Sequence, residues 1–244
     1  MPIRQHDRLL LIAARNPVAG ETKTRLGATI GMACAAQLYG TFLHDLVDRF
    51  MTADLSYDLG WAYTPESHPF RVTIERIQPD RELDHVHFVM QEGSDWAARQ
   101  AMLLRWGAEQ GYAATVLTAS DSPQMTRAMV DDAFAGLDAA DVVVGRVHDG
   151  GYYLIGVRGF LDVVTGVPMS TTTAARDLIS QARRRGLDVA TIESTFDIDV
   201  EADLRLLADL CESDPGAAPM TCKALDELGL FARIAARDGR EDGT

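Results

Sequence analysis

The sequence predicts one α/β domain built on a mostly parallel sheet covered by helices on both faces. Three observations lead there. Short apolar runs alternate with helical patterns along most of the chain, as βαβ units do. At 244 residues with 47% hydrophobic content, the chain is long enough to bury a sizeable core. Its unusual polar clusters each follow directly after a strand, where ligand crevices of such sheets lie.

The first strand is Leu9 to Ala14, an unbroken apolar run with Arg8 and Arg15 at its ends. Asn16-Pro17 turns the chain out of the ladder, since proline has no N–H to donate. The loop VAGET, containing Gly20, then delivers Lys23, Thr24 and Arg25. Beyond it Ile30, Cys34, Leu38, Phe42, Leu46 and Phe50 recur every fourth residue, predicting one helix from about Ala28 to Phe50. Tyr57 to Tyr63 reads as a second strand closed by Thr64-Pro65, and residues 65–84, polar and proline-broken, read as loop with room for a helical turn. His85 to Met90 is a third strand. Ser94 is placed to cap the helix that follows, with Asp95 in its first turn.

Further along, Ala113 to Ala119 is a strand and Gln124 to Leu137 a helix. Asp141 to Gly145 and Gly151 to Val157 are strands. Thr172 to Arg185 is a helix whose basic end, Arg183 to Arg185, suits its dipole. Leu187 to Ile192 reads as a last core strand. The expected division is a domain over residues 1–212 and a helical tail over 213–244, ending in a charged, frayed stretch.

A formal net charge of −13 argues against a nucleic-acid-binding protein, which needs a basic face. A phosphorylated small molecule remains open to an acidic chain whose few cations converge. Cys34, Cys211 and Cys222 are odd in number and widely spaced, so buried thiols in a reducing compartment are expected, with neither disulfide nor zinc site. The amino-terminal segment has neither a signal peptide nor a membrane span, and a soluble, cytoplasmic protein follows.

Lys23 and Arg25, after a glycine-containing turn and before a helix, could cradle phosphate between side-chain cations and helix amides. A solvated basic turn would read the same way. The loop is no Walker A motif, because position 22 is Thr, and no GxGxxG occurs. Thr118-Ala119-Ser120-Asp121-Ser122-Pro123 puts Asp121 at a strand's carboxyl end, as an Asp-Ser turn or as a ligand for a hard cation. Asp197 and Asp199, two apart in an extended segment, face one side; Asp199 is a metal ligand or the cap of the helix EADLRLLADL. His148-Asp149-Gly150-Gly151-Tyr152-Tyr153 is a tight turn or a place where backbone approaches a ligand. Alternation makes one of the two tyrosines core, and His148 is expected to be solvated. Ser170 and Thr171 precede a helix whose start could hold a phosphate or carboxylate.

Asn-Pro-x-x-Gly-x-x-Lys-Thr-Arg-Leu after a first strand resembles the opening loop of the nucleotide-diphospho-sugar transferase superfamily. SDSP, DGGYYLIG and the segment around Asp197 to Leu204 resemble its later motifs in the expected order, although Val200 replaces the usual threonine. The likeness covers most of residues 8–210 and is strongest to the small bacterial branch near the 2-phospholactate guanylyltransferases and the DUF2064 glycosyltransferase-like proteins. It implies a Rossmann-like three-layer sandwich with a mostly parallel mixed sheet. By the same resemblance, Arg15, Asn16, Pro17, Gly20, Lys23, Arg25 and Ser120 would bind the nucleotide, with Lys23 and Arg25 acting in catalysis. Asp121 and Asp199 would hold magnesium, or manganese in its place. Asp149, Gly150, Gly151, Tyr152, Ser170 and Thr171 would meet a small, phosphorylated acceptor. Relatives tend to have D-L-G-x-R-M where this chain has Asp95-Trp96-Ala97-Ala98-Arg99, a departure that bears on the base site.

The expected activity is nucleotidyl transfer from a nucleoside triphosphate with release of pyrophosphate. Glycosyl transfer from a nucleotide sugar is the rival, and a non-catalytic nucleotide-binding module a third reading. Neither base, acceptor nor oligomeric state is legible in these residues.

Overall fold

Seven strands form one sheet in the order β3-β2-β1-β4-β6-β5-β7. The structure is a computed structural model and describes residues 2–65 and 69–234. In chain order the elements are β1 (Arg8–Arg15), α1 (Thr24–Ile30), α2 (Met32–Phe50), β2 (Asp58–Thr64), α3 (Phe70–Ile77), β3 (His87–Met90), α4 (Trp96–Glu109) and β4 (Ala114–Ala119). There follow α5 (Arg127–Ala139), β5 (Val142–Val147), β6 (Tyr152–Arg158), α6 (Ala174–Arg184), β7 (Val189–Thr195), α7 (Asp203–Ser213) and α8 (Pro219–Glu227). Only β6 runs antiparallel to its neighbours, β4 and β5.

The chain moves outward from β1 to β2 and β3, then returns to the other side of β1 as β4. That reversal opens a crevice beyond the carboxyl ends of β1 and β4, which lie side by side through the pair Ala13 and Ala119. The sheet is buried on both faces because β1 is apolar at every interior position. Leu10 and Ile12 pack with Phe42, Phe50, Val130 and Phe134 of α2 and α5. Leu9 and Leu11 pack with Leu103, Leu104 and Leu178 of α4 and α6. This is the three-layer mixed sheet expected from the alternating pattern.

Several elements depart from expectation for identifiable reasons. The long helix breaks at Gly31, whose φ of 96° only glycine adopts readily, giving α1 and α2. The stretch read as loop contains α3, whose Phe70 and Ile74 are fully buried; two apolar residues one turn apart are too few for a periodicity to register. Asp95, not Ser94, caps α4, its carboxylate accepting from the Ala98 N–H at 2.9 Å. The last strand is not a core strand: β7 lies at the sheet edge and most of it is exposed or half-buried. Cys211 and Cys222 form a disulfide between α7 and α8, so the reading of three free thiols is wrong. No Cys-x-x-Cys spacing signals this bond; the helix pairing creates it. Cys34 is free.

The carboxyl-terminal charged stretch, residues 235–244, lies outside the described residues. Before it, α8 packs against α2. Its first-turn donors meet the buried Asp45 of α2, which accepts from the N–H groups of Met220 and Thr221 at 2.8 and 2.9 Å and from the Thr221 hydroxyl at 2.6 Å. Among the described residues no helix is long and apolar enough to cross a membrane.

Removing the Asp45 carboxylate strands three donors, two of them on the buried Thr221. Hydrogen bonds to a charged group contribute about 1.5–3 kcal/mol each, and not additively, so Asp45→Ala is expected to destabilise by roughly 2–4 kcal/mol. Chemical denaturation would measure it; a loss under about 1 kcal/mol, the ordinary cost of one helix cap, would contradict this account.

Candidate active site

The crevice at the strand-order reversal is occupied by a cluster of cations and carboxylates. Lys23 ends the loop after β1 with φ 49° and ψ 43°, in the left-handed region that lysine rarely adopts. Its side chain is only 5% exposed. The ammonium lies 2.5 Å from Asp121 Oδ1 and 3.0 Å from Asp199 Oδ1, and donates to the Ile198 carbonyl at 2.7 Å. Arg25, the second residue of α1 and largely exposed, donates to Asp199 Oδ2 at 2.6 Å.

Three distant segments meet here, and backbone bonds explain how. Ser120, directly after β4, donates its N–H to the Ala13 carbonyl of β1. The Asp121 carbonyl then accepts from the Ile198 N–H at 3.0 Å, stitching the segment after β7 to the end of β4. Gln124 holds the same segment, donating to the Phe196 carbonyl and the Thr195 hydroxyl. Asp203 accepts from the N–H groups of Asp199 and Val200, both at 2.8 Å, and so closes the entry to α7. Asp199 is therefore not that helix's cap, and its carboxylate is directed to Lys23 and Arg25.

Burial alone would push the Lys23 ammonium down in pKa, but Asp121 and Asp199 together outweigh it and hold the group above the ordinary lysine value. Burial opposes ionisation of Asp199, yet Lys23 and Arg25 keep its carboxyl below the usual range. Asp197 behaves oppositely: burial, reinforced by the Asp121 charge, pushes it up to about 7, although the Ser122 hydroxyl donates to it at 2.5 Å. Behind the cluster, the buried Tyr39 hydroxyl accepts from the Arg15 N–H at 3.1 Å and shares a hydrogen bond with Ser120 Oγ at 2.7 Å. Burial, with Asp121 nearby, raises that phenol to about 12.

Two clefts flank the cluster. One, of about 330 Å³, is walled by Arg15, Lys23, Arg25, Ser120 and Asp121, with Gln91, Trp96 and Arg99 opposite. The other, of about 270 Å³, is walled by Asp149, Gly151, Tyr152, Ser170, Thr171 and Asp197. They share Arg25, Trp96, Asp121 and Asp199. The residues expected from the sequence to meet a nucleotide and those expected to meet an acceptor thus line separate but adjoining spaces.

Some expected residues shape the walls without lining them. Asn16 is buried and accepts from the Thr73 hydroxyl of α3, Pro17 packs near Gly40, and Gly20 turns the loop with φ 83°. Gly150 takes φ 93°, and a Cβ there would sit 1.8 Å from the Thr172 carbonyl, so the β5–β6 turn closes directly on the entry to α6. Asp149 accepts from the Gly151 N–H at 2.9 Å within that turn. Of the tyrosine pair, Tyr153 is core and Tyr152 reaches the cleft, donating to Gln100 Oε1 at 3.1 Å. His148 is exposed and borders neither of these two clefts. Tyr39, Gln91 and Trp96 escape sequence reasoning. Tyr39 sits within the apolar stripe of α2 and reads as packing, and only Trp96, large yet exposed, carries a compositional hint.

Asp121 and Asp199 both reach the Lys23 ammonium, so the two carboxylates face a common point. Among the described residues no group of three or more His, Cys, Asp or Glu is arranged to hold a metal.

The model of the DUF2064 family, described as uncharacterized proteins conserved in bacteria, matches residues 64–171. No curated protein matches the chain. A crystal structure from Desulfovibrio desulfuricans G20, described as a candidate nucleotide-diphospho-sugar transferase, is 27% identical with a TM-score of 0.80, over 92% of this chain and 97% of that one. More distant in sequence, a 4-diphosphocytidyl-2C-methyl-D-erythritol synthase from Anaerococcus prevotii DSM 20548 shares the fold at 8% identity and a TM-score of 0.54, over 84% and 96% of the two chains. A cytidylyltransferase from Leptospira borgpetersenii does so at 13% and 0.52, over 94% and 97%. The sheet order, the strand-end motifs and the Desulfovibrio structure agree in supporting the nucleotide-diphospho-sugar transferase superfamily that the sequence resembles.

Proposed function

We propose that the chain is a nucleotide-dependent transferase that moves a nucleoside monophosphate from a nucleoside triphosphate to a small acceptor. The observation that carries this reading is the Lys23 ammonium held between Asp121 and Asp199 where the two clefts join. An arriving triphosphate offers Lys23 and Arg25 oxygens in place of those carboxylates. The two carboxylates then become available to a hard cation. When bound there, magnesium or manganese would supply Lewis-acid neutralisation of phosphate charge.

The rest falls to this chain's own residues. Lys23 and Arg25 offset charge developing on the transferred and leaving phosphates. Arg15 and Ser120, with the first turn of α1, which no described side chain caps, wall the triphosphate space. An acceptor oxygen in the second cleft forms a bond to the α-phosphorus, the bond from that phosphorus to the bridging oxygen breaks, and pyrophosphate leaves with the electron pair. The acceptor's proton passes to solvent. Glycosyl transfer is the second reading, favoured by the description of the Desulfovibrio relative.

A thermal-shift screen of nucleoside triphosphates and nucleotide sugars, with and without magnesium, tests the site. A ligand at a hundred times its Kd stabilises by about 2.7 kcal/mol. Stabilisation by a triphosphate with pyrophosphate release is expected. A nucleoside diphosphate product would transfer the reading to the glycosyl class, binding without turnover across a broad acceptor panel would leave a binding module, and no nucleotide binding at all would sink the site assignment.

Lys23→Ala and Asp121→Asn should each lower kcat/KM on the order of a hundredfold, the usual loss for one such electrostatic contact. Unchanged kinetics in a folded variant would refute their roles.

Asp197 predicts a pH effect on the ligand-free protein. Its carboxyl is raised to about 7 from an ordinary 3.8, so the folded state holds a proton that the unfolded chain has released. That contribution is present at acid pH and is lost as pH rises towards and through 7. Asp197→Asn should therefore reduce the fall in Tm between pH 5 and pH 8; an equal fall in both proteins would count against it.

A further inference from the structure

The resemblance implies a phosphorylated acceptor, but the second cleft lacks what a phosphate ester needs. Arg25 is the only cationic residue lining it among the described residues, and Arg25 is already paired with Asp199. The start of α6 borders the cleft, yet its first two amides are spent. The Ala174 N–H donates to the Thr171 carbonyl at 3.2 Å, and the Ala175 N–H to the Gly150 carbonyl at 3.1 Å. Asp177 already brings a negative charge to that first turn, held by the Thr173 hydroxyl at 2.7 Å. Gly150 seals the arrangement, because its turn lies against the Thr172 backbone. A phosphate dianion placed there would face the Asp149 carboxylate with no unpaired cation to answer it.

What the walls do offer is a set of groups suited to hydroxyls. Ser170, Thr171 and Thr172 can each donate and accept, Asp149 and Asp197 accept, and Tyr152 with Met169 supplies an apolar surface. We propose that the second cleft receives an uncharged, polyhydroxylated acceptor, a sugar or polyol whose hydroxyl is the attacking group, and discriminates against its phosphate ester. The proposal rests on the transferase reading but holds for nucleotidyl and glycosyl transfer alike. Asp149 and Asp197 orient the acceptor by accepting from its hydroxyls, and selectivity comes from the absence of a free cation.

The test uses the full chain with magnesium and whichever nucleotide the thermal-shift screen identifies. Matched pairs are compared: glycerol with glycerol 3-phosphate, glucose with glucose 6-phosphate, and myo-inositol with its monophosphate. Saturation-transfer NMR reads binding, and release of pyrophosphate or nucleoside diphosphate reads turnover. The uncharged member is expected to bind or react at least about tenfold better in one or more pairs. Preference for the phosphorylated member, or no response from any uncharged member, overturns the proposal. Thr171→Lys, which adds a cation to the exposed wall, should shrink the discrimination at least about threefold; discrimination left unchanged also counts against it. Failure of every nucleotide to bind is a separate result, and it defeats the transferase reading instead.

Discussion

The Lys23 ammonium, buried between two carboxylates from remote parts of the chain, is the contact on which the site depends. It stands at the end of the loop after β1, on backbone that favours glycine, and strain of that kind costs about 1–3 kcal/mol. Unit charges about 4 Å apart interact by about 4 kcal/mol at an effective dielectric constant of about 20, and Lys23 has two such partners. Desolvation takes back part of that attraction. The strained loop carries the ammonium to both carboxylates, so the geometry of the loop and the ionisation of Asp121 and Asp199 are one linked property.

The sheet determines why those partners are in reach. Because β1 and β4 are neighbours whose connections leave in opposite directions, the loops after them share one crevice. Reversing a single strand, β6, then lets a tight turn follow β5 on the same edge, and this turn carries Asp149 to Gly151 to the second cleft. A parallel β6 would have needed a long crossover there instead. The two clefts are consequently separated by the ion cluster itself, with Asp121 and Asp199 on the border of both.

Elements far from the crevice hold this frame. Asp45 ties α8 to α2, and α2 carries Tyr39, which bridges Arg15 at the end of β1 and Ser120 just after β4. The disulfide joins α7 to α8, and α7 begins a few residues after Asp199. The carboxyl-terminal helices thus brace both sides of the cluster through packing and covalent linkage, without touching a cleft themselves.

Local chemistry in the sequence alone determined the strands, the layer architecture and the candidates Lys23, Arg25, Asp121 and Asp199. Apolar runs, a proline after the first strand and carboxylates after later strands are properties of neighbouring residues, which a linear reading captures. Tertiary structure alone decided the pairing of Cys211 with Cys222, the edge position of β7 and the role of Tyr39, since each depends on residues distant in sequence. It also decided that Asp203 rather than Asp199 closes the entry to α7, and that the first two amides of α6 are consumed by Thr171 and Gly150. Sequence shows which groups can bond; only the folded chain shows which bonds are already made.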